Sequence, residues 1–144
     1  MTVNQILSIK GGEVFSIVST ISVYDALKVM GEKNVGALLV MDNNEIVGIL
    51  SERDYARKIV LKDKTSKETL VKDIMGTGII TVKPTDDIDY CMGLMSGKRI
   101  RHLPVVDDNV VLGVVSIGDI VKAVIEMQKE TIHHLDAYIN GTQV

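Results

Sequence analysis

Apolar and polar positions along this chain predict a short series of elements. One helix is predicted where four apolar residues fall at i, i+3, i+4 and i+7, the spacing of a single helix face. Those residues are Val23, Ala26, Leu27 and Met30. The apolar segments 37–41 and 46–50, joined by the turn 42–44, predict two strands in a tight hairpin. A short strand at 14–18 and a helix at 52–61 complete a β-α-β-β-α unit.

The same series occurs a second time, 65 residues further along. Without a gap, residues 16–57 align with 81–122 and share ten identical positions, where chance would give roughly two or three. The predicted elements of the second copy are a strand at 79–82, a helix carrying Ile88, Cys91, Met92 and Met95, strands at 103–106 and 110–115, and a helix at 117–129. A duplicated unit of mixed α/β (α+β) class is the simplest explanation.

The duplication predicts a domain organisation. Residues 1–61 form the first repeat with an N-terminal segment, 62–74 a polar linker, 75–129 the second repeat, and 130–144 a helical tail. The tail has apolar residues at helical spacing, namely Ile132, Leu135 and Ile139. A unit of about 50 residues buries too little surface to be stable alone. We therefore expect the two copies to form one module about a pseudo-twofold axis.

Composition excludes several functional classes. The net charge is −3, which argues against nucleic-acid binding through a broad basic surface. No apolar run approaches the length of about 20 residues that spans a bilayer, and residues 1–10 lack the pattern of a signal peptide. Cys91 is the single cysteine, so an intramolecular disulfide is impossible. These features predict a cytoplasmic protein without a membrane partner.

The pattern Gly-apolar-apolar-Ser-x-x-Asp occurs at the strand-to-helix junction of both copies, at 48–54 and 113–119. A structural interpretation is available, because Ser-x-x-Asp is a helix capping box and glycine relaxes the preceding strand. A functional interpretation uses the same atoms. The helix start and serine can bind a phosphate, the carboxylate can accept both ribose hydroxyls, and glycine lets a flat ligand approach the backbone. The residues alone leave both interpretations open.

These features resemble a tandem pair of CBS domains, also called a Bateman module, as found in stand-alone bacterial and archaeal proteins. The resemblance covers about residues 12–126 and is strongest at 35–40, 48–55 and 101–107. It implies a regulatory or sensor module that binds an adenosine-containing ligand in the cleft between the repeats. The ligands it implies are AMP, ADP, ATP, NAD and S-adenosylmethionine. It also implies a homodimer and a separate regulated protein.

The resemblance places two candidate sites on this sequence. The first comprises Ser51, Arg53, Asp54, Gly78, Ile79, Ile80, Ile100, Arg101, His102 and Pro104. The second comprises Val14, Ser16, Val35, Gly36, Ala37, Val114, Ser116 and Asp119. In the alignment Arg101 and His102 correspond to Gly36 and Ala37, so the first site holds more phosphate donors. We therefore expect the Asp54 site to bind the phosphorylated nucleotide more tightly.

Other functions have less support in the sequence. Serine, histidine and aspartate are present, but no nucleophile–base spacing indicates an enzyme. No cluster of histidine, cysteine and carboxylate predicts a metal site. A structural or partner-binding module with vestigial clefts remains an alternative, because helix capping alone would explain both Ser-x-x-Asp segments.

Overall fold

The computed structural model describes residues 1–140, so the end of the predicted tail, 141–144, lies outside the described residues. The helices are α1 (Val3–Lys10), α2 (Val23–Lys33), α3 (Glu52–Tyr55), α4 (Val71–Ile74), α5 (Ile88–Lys98) and α6 (Ile117–Ile139). The strands are β1 (Ser16–Ile17), β2 (Ala37–Asp42), β3 (Glu45–Ser51), β4 (His102–Asp107) and β5 (Val110–Ser116). The predicted mixed α+β class is confirmed.

The chain divides into two compact units whose boundaries differ from the predicted ones. The first unit is Val14–Ile80, and the second unit combines Met1–Glu13 with the chain from Thr81 onward. The prediction placed residues 1–13 with the first repeat. In the structure they belong to the same unit as the second repeat. Helix α1 is tied to the segment before α5, since the Val3 amide donates to the Asp86 carbonyl at 2.8 Å.

The β-hairpin predicted in each repeat is present. In the first unit β2 pairs antiparallel with β3, and β1 pairs parallel with β2. The turn residues Asn43 and Asn44 have φ values of 53° and 64°, a left-handed conformation that asparagine tolerates well. The second hairpin, β4–β5, turns through Asp108 and Asn109 in the same conformation.

The predicted opening strands are shorter than expected. The strand predicted at 14–18 reduces to Ser16–Ile17, and the one predicted at 79–82 reduces to a single bridge between Val82 and Val105. The Val82 amide donates to the Pro104 carbonyl at 2.9 Å. Two residues later comes Pro84, which has no amide proton with which to extend the pairing.

Helices α2 and α5 bury most of the predicted face, although Leu27 is only half-buried and Met92 is exposed. The side chains of Ser22 and Asp87 accept the amides of Asp25 and Tyr90. The residues buried on these helices are Val23, Ala26, Met30, Ile88, Cys91 and Met95. The helix predicted at 52–61 is α3 followed by a π-helix, Ala56–Val60.

The predicted division between a helix at 117–129 and a separate tail is wrong. Helix α6 runs without a break from Ile117 to Ile139. After Gly118 this stretch contains neither glycine nor proline, the residues that most often end a helix. Between α5 and α6 lies an apolar groove of about 440 Å³, lined by Met92, Met95, Ser96, Ile117, Ile120, Val121, Val124 and Ile125.

Two short helices cover the hairpins. Leu7 of α1 packs where the Cβ of a residue at position 113 would lie, in the middle of β5. Met75, directly after α4, occupies the corresponding place at position 48 of β3. Each helix precedes one repeat in sequence but covers the hairpin of the other repeat.

Candidate functional site

The Ser-x-x-Asp segment forms a capping box at each strand-to-helix junction. At the first junction the Ser51 hydroxyl oxygen accepts the Asp54 amide at 3.2 Å, and Asp54 Oδ2 accepts the Ser51 amide at 3.0 Å. At the second junction Ser116 Oγ accepts the Asp119 amide at 3.2 Å, and Asp119 Oδ2 accepts the Ser116 amide at 2.8 Å. The predicted caps are therefore present in both copies.

Each junction carboxylate also contacts an ammonium group. Lys58 Nζ lies 3.1 Å from Asp54 Oδ1, and Lys10 Nζ lies 2.7 Å from Asp119 Oδ2. The two carboxylate side chains are only 19% and 21% exposed. Partial burial raises the pKa of Asp119, but the hydrogen bonds from Lys10 and the Ser116 amide outweigh it and leave that pKa below its usual value.

The lysines were missed in the sequence. Lys58 follows Asp54 by four residues, a spacing that places two side chains together on a helix surface and that could have revealed it. Lys10 and Asp119 are 109 residues apart, and no local pattern connects them.

The hairpin register shows which predicted site residues lie beside each junction within its own unit. His102 pairs directly with Ser116 across β4–β5, and the Ile117 amide donates to the Arg101 carbonyl at 2.9 Å. Arg101 and His102 therefore lie at the Asp119 junction of the second unit, and their predicted part in a site with Asp54 of the other unit stays a prediction. The alignment gave the correspondence between copies but not the register that pairs strand ends.

The glycine-containing segment of the first unit shows the equivalent arrangement. Ala37 pairs with Ser51 across β2–β3, and the Glu52 amide donates to the Gly36 carbonyl at 3.0 Å. Val35, Gly36 and Ala37 thus lie at the Asp54 junction, and their predicted part in a site with Asp119 of the other unit stays a prediction. Each junction is bordered by the start of its own hairpin.

Other predicted site residues are placed as follows. Gly78, Ile79 and Ile80 belong to the first unit with Asp54, shortly after Gly76, which exchanges two backbone hydrogen bonds with Ile49. Val14 and Ser16 border or form β1. Val114 offers its carbonyl to Lys10 at 2.7 Å. Ile100 is half-buried, and its amide donates to the Met95 carbonyl at the end of α5.

Pro104, which was predicted to contact a ligand, lies in the core of the second unit. Its side chain is among those fully buried, and its carbonyl is engaged by Val82. The junction glycines Gly48 and Gly113 also serve packing, because Met75 and Leu7 fill the spaces a ligand would need for a close approach there.

His102 has a perturbed imidazole. Burial lowers the pKa of His102 below its usual value, and the charges of Lys10 and Arg101 lower it further against the opposing carboxylate of Asp119. The side chain is therefore neutral near pH 7. A neutral imidazole can both donate and accept a hydrogen bond at the junction.

We expect His102→Gln to reduce the loss of stability on acidification. Above about pH 6.5, the usual pKa of histidine, the group adds no pH dependence. As the pH falls below that value, the unfolded chain binds a proton that the folded protein resists, so the free energy of unfolding decreases. Urea denaturation of both proteins between roughly pH 7 and pH 5 measures this. Equal pH profiles would contradict the assignment.

Cys91 is a core residue of α5. It is fully buried, and burial, followed by the charges of Asp86 and Asp87, raises the pKa of its thiol to about 11. Within residues 1–140 no group of three or more histidine, cysteine or carboxylate side chains is placed to hold a metal ion. None of the helices described is long and apolar enough to cross a membrane.

The duplicated hairpin and its repeated Ser-x-x-Asp junction define the class, a module of paired α+β repeats. The chain belongs to the CBS domain family, because the model of that family matches residues 8–61 and 71–126. This result confirms the resemblance found in the sequence.

Known proteins share most of this chain. It is 46% identical over 125 residues to the CBS domain-containing protein CBSX3, mitochondrial, of Arabidopsis thaliana. The aligned region covers 83% of this chain and 61% of the plant protein. The chain therefore spans about three fifths of that relative's length.

Two solved structures have the same fold. A protein with CBS domains from Burkholderia ambifaria is 47% identical, with a TM-score of 0.84 over 88% of this chain and 95% of that one. The CBS domain pair of protein MJ0100, in complex with 5′-methylthioadenosine and S-adenosyl-L-methionine, is 28% identical. Its TM-score is 0.75 over 86% of this chain and 95% of that one.

Proposed function

We propose that this chain is a regulatory module that binds an adenosine-containing ligand at its Ser-x-x-Asp junctions and catalyses no reaction. The observation that carries the proposal is the pair of partly buried carboxylates, each held in place by a serine cap at the start of a helix. Such a carboxylate is oriented in advance to accept ribose hydroxyls. The complex of protein MJ0100 with two adenosine compounds supports this ligand class.

The two junctions differ in the charged groups beside them. Asp119 has Lys10, Arg101 and His102 in its own unit. Beside Asp54 lies Lys58, and Arg53 directly precedes Asp54 in the sequence. We therefore propose that the Asp119 junction is the stronger site for a phosphorylated ligand such as AMP, ADP, ATP or NAD. This proposal is the reverse of the order expected from the sequence, and it is supported by the strand register, in which Arg101 and His102 lie beside the Asp119 junction.

Calorimetric titration with AMP tests both parts of the proposal. We expect Asp119→Asn to weaken AMP binding by roughly tenfold or more, because a charged hydrogen-bond acceptor is lost without a change of shape. Asp54→Asn is expected to have the smaller effect. Asp136→Asn, an exposed position on α6, is the matched control and should bind AMP as the unchanged protein does.

Two outcomes would contradict the proposal. If Asp54→Asn loses more AMP affinity than Asp119→Asn does, the Asp54 junction is the stronger site, as the sequence predicts. Absence of binding to AMP, ATP, NAD and S-adenosylmethionine by the unchanged protein would favour a structural or partner-binding module. A thermal-shift screen with these four compounds gives an independent reading, since a ligand at 100 times its Kd adds about 2.7 kcal/mol of stability.

A homodimer, a separate regulated protein and a cytoplasmic location stay predictions. The apolar groove between α5 and α6 is a surface on which a second copy could pack. The plant relative is named as mitochondrial.

A further inference from the structure

The ammonium of Lys10 is held between two oxygen atoms at the Asp119 junction. Its Nζ donates to Asp119 Oδ2 at 2.7 Å and to the Val114 carbonyl at 2.7 Å. The lysine is the last residue of α1, whose Val3, Ile6 and Leu7 are buried. The packing of α1 therefore fixes the backbone of Lys10 and places its ammonium group at the Asp119 junction.

This placement is not a product of the duplication. At the other hairpin Met75 takes the place of Leu7, and the three residues that follow it, Gly76, Thr77 and Gly78, carry no charge. At the other junction the ammonium comes from Lys58, one helical turn after Asp54, and the position equivalent to Lys58 is Ala123. The lysine beside each carboxylate therefore comes from a different part of the repeat.

The two lysines engage their carboxylates differently. At Asp119 both Lys10 and the Ser116 amide use Oδ2, and no residue in the described part of the chain donates a hydrogen bond to Oδ1. At Asp54 the cap uses Oδ2 while Lys58 approaches Oδ1. Asp119 can therefore accept a ribose hydroxyl while Lys10 stays in place, whereas Lys58 occupies the corresponding oxygen.

We propose that Lys10 selects ligands at the Asp119 junction by the charge of their 5′ substituent, favouring a 5′-phosphate over a neutral thioether or a cationic sulfonium. The proposal rests on the proposed function, in which Asp119 holds the ribose. A ribose bound there brings its 5′ substituent within one sugar's length of the ammonium. Two unit charges about 6 Å apart near a protein surface change a binding constant by roughly tenfold or more, with the sign set by the ligand.

Three ligands that differ at the 5′ position test the proposal. AMP carries a phosphate there, 5′-methylthioadenosine a thioether and S-adenosylmethionine a sulfonium. We expect Lys10→Met to lower the ratio of AMP affinity to S-adenosylmethionine affinity by about tenfold, with little change for 5′-methylthioadenosine. Lys10→Arg keeps the positive charge and should keep the ratio. Calorimetric titration of the full chain at fixed ionic strength measures all three.

Two further variants separate this effect from general changes. Lys129→Met removes one positive charge from an exposed side chain of α6 and should leave the ratio unchanged. Lys58→Met should change the ratio less than Lys10→Met, because its site is proposed to be the weaker one. If Lys129→Met lowers the ratio of AMP affinity to S-adenosylmethionine affinity as much as Lys10→Met does, net charge and not position sets the ligand preference. That result would overturn the proposal.

The outcomes distinguish the inference from the function on which it rests. If the unchanged protein binds AMP and Lys10→Met keeps the same affinity ratio, the proposal that Lys10 selects ligands is wrong. The proposed binding of an adenosine-containing ligand is then unaffected. If the unchanged protein binds none of the three compounds, the proposed function fails and the inference fails with it.

Discussion

A Leu103→Ala variant is expected to have a free energy of unfolding about 2–5 kcal/mol below that of the unchanged protein. Leu103 is 0% exposed and lies on β4 directly opposite Val115 of β5, which is also fully buried. Truncation removes apolar contact and leaves a cavity that the paired strands cannot close. Urea denaturation followed by circular dichroism measures the change.

Val110→Ala is the control for this experiment. Val110 belongs to the same hairpin but is 57% exposed, so its truncation should change the free energy of unfolding by no more than about 0.5 kcal/mol. Similar losses in the two variants would show that Leu103 does not pack as tightly as the structure indicates.

We expect Gly48→Ala to destabilise the protein by about 1–3 kcal/mol through overpacking. A Cβ at this position would lie 2.5 Å from Met75 Sδ and 2.9 Å from the Gly76 carbonyl oxygen. The methionine side chain can move, but Gly76 is fixed by two hydrogen bonds with Ile49, of 3.0 and 2.9 Å. Relief of the clash therefore requires a shift of paired backbone. Chemical denaturation gives the loss directly.

Gly113→Ala is the matched variant in the second repeat. There the three atoms nearest to the added Cβ all belong to the Leu7 side chain, with Cδ2 at 2.8 Å, and a leucine can adjust its rotamer. Neither glycine has a positive φ among the residues described, so the conformational effect of alanine is the same in both. We expect Gly113→Ala to be at least about 1 kcal/mol less damaging, and the opposite order would contradict the packing described for Met75.

Local pattern was sufficient for much of this fold. The hairpin turns, the capping boxes and the buried faces of α2 and α5 all depend on residues close together in sequence, such as Ser116 and Asp119. Their chemistry is visible in the spacing of the residues, and the structure confirms them.

Features that depend on distant residues were not predictable in the same way. The place of α1, beside β5, depends on packing of Leu7 against Gly113. The junction to which Arg101 belongs depends on strand register. An alignment of two copies shows which residues are equivalent, but it gives no information on which equivalent residues meet.

The position of α1 has a consequence for the order in which the protein folds during synthesis. The first unit is a continuous segment, Val14–Ile80, and can close soon after its last residue leaves the ribosome. Lys10 must wait for Asp119, 109 residues later, and closing so long a loop is entropically costly. Until β5 emerges, the apolar face of α1 lacks the surface that covers it in the folded unit, and exposed apolar surface on an incomplete chain is prone to aggregation.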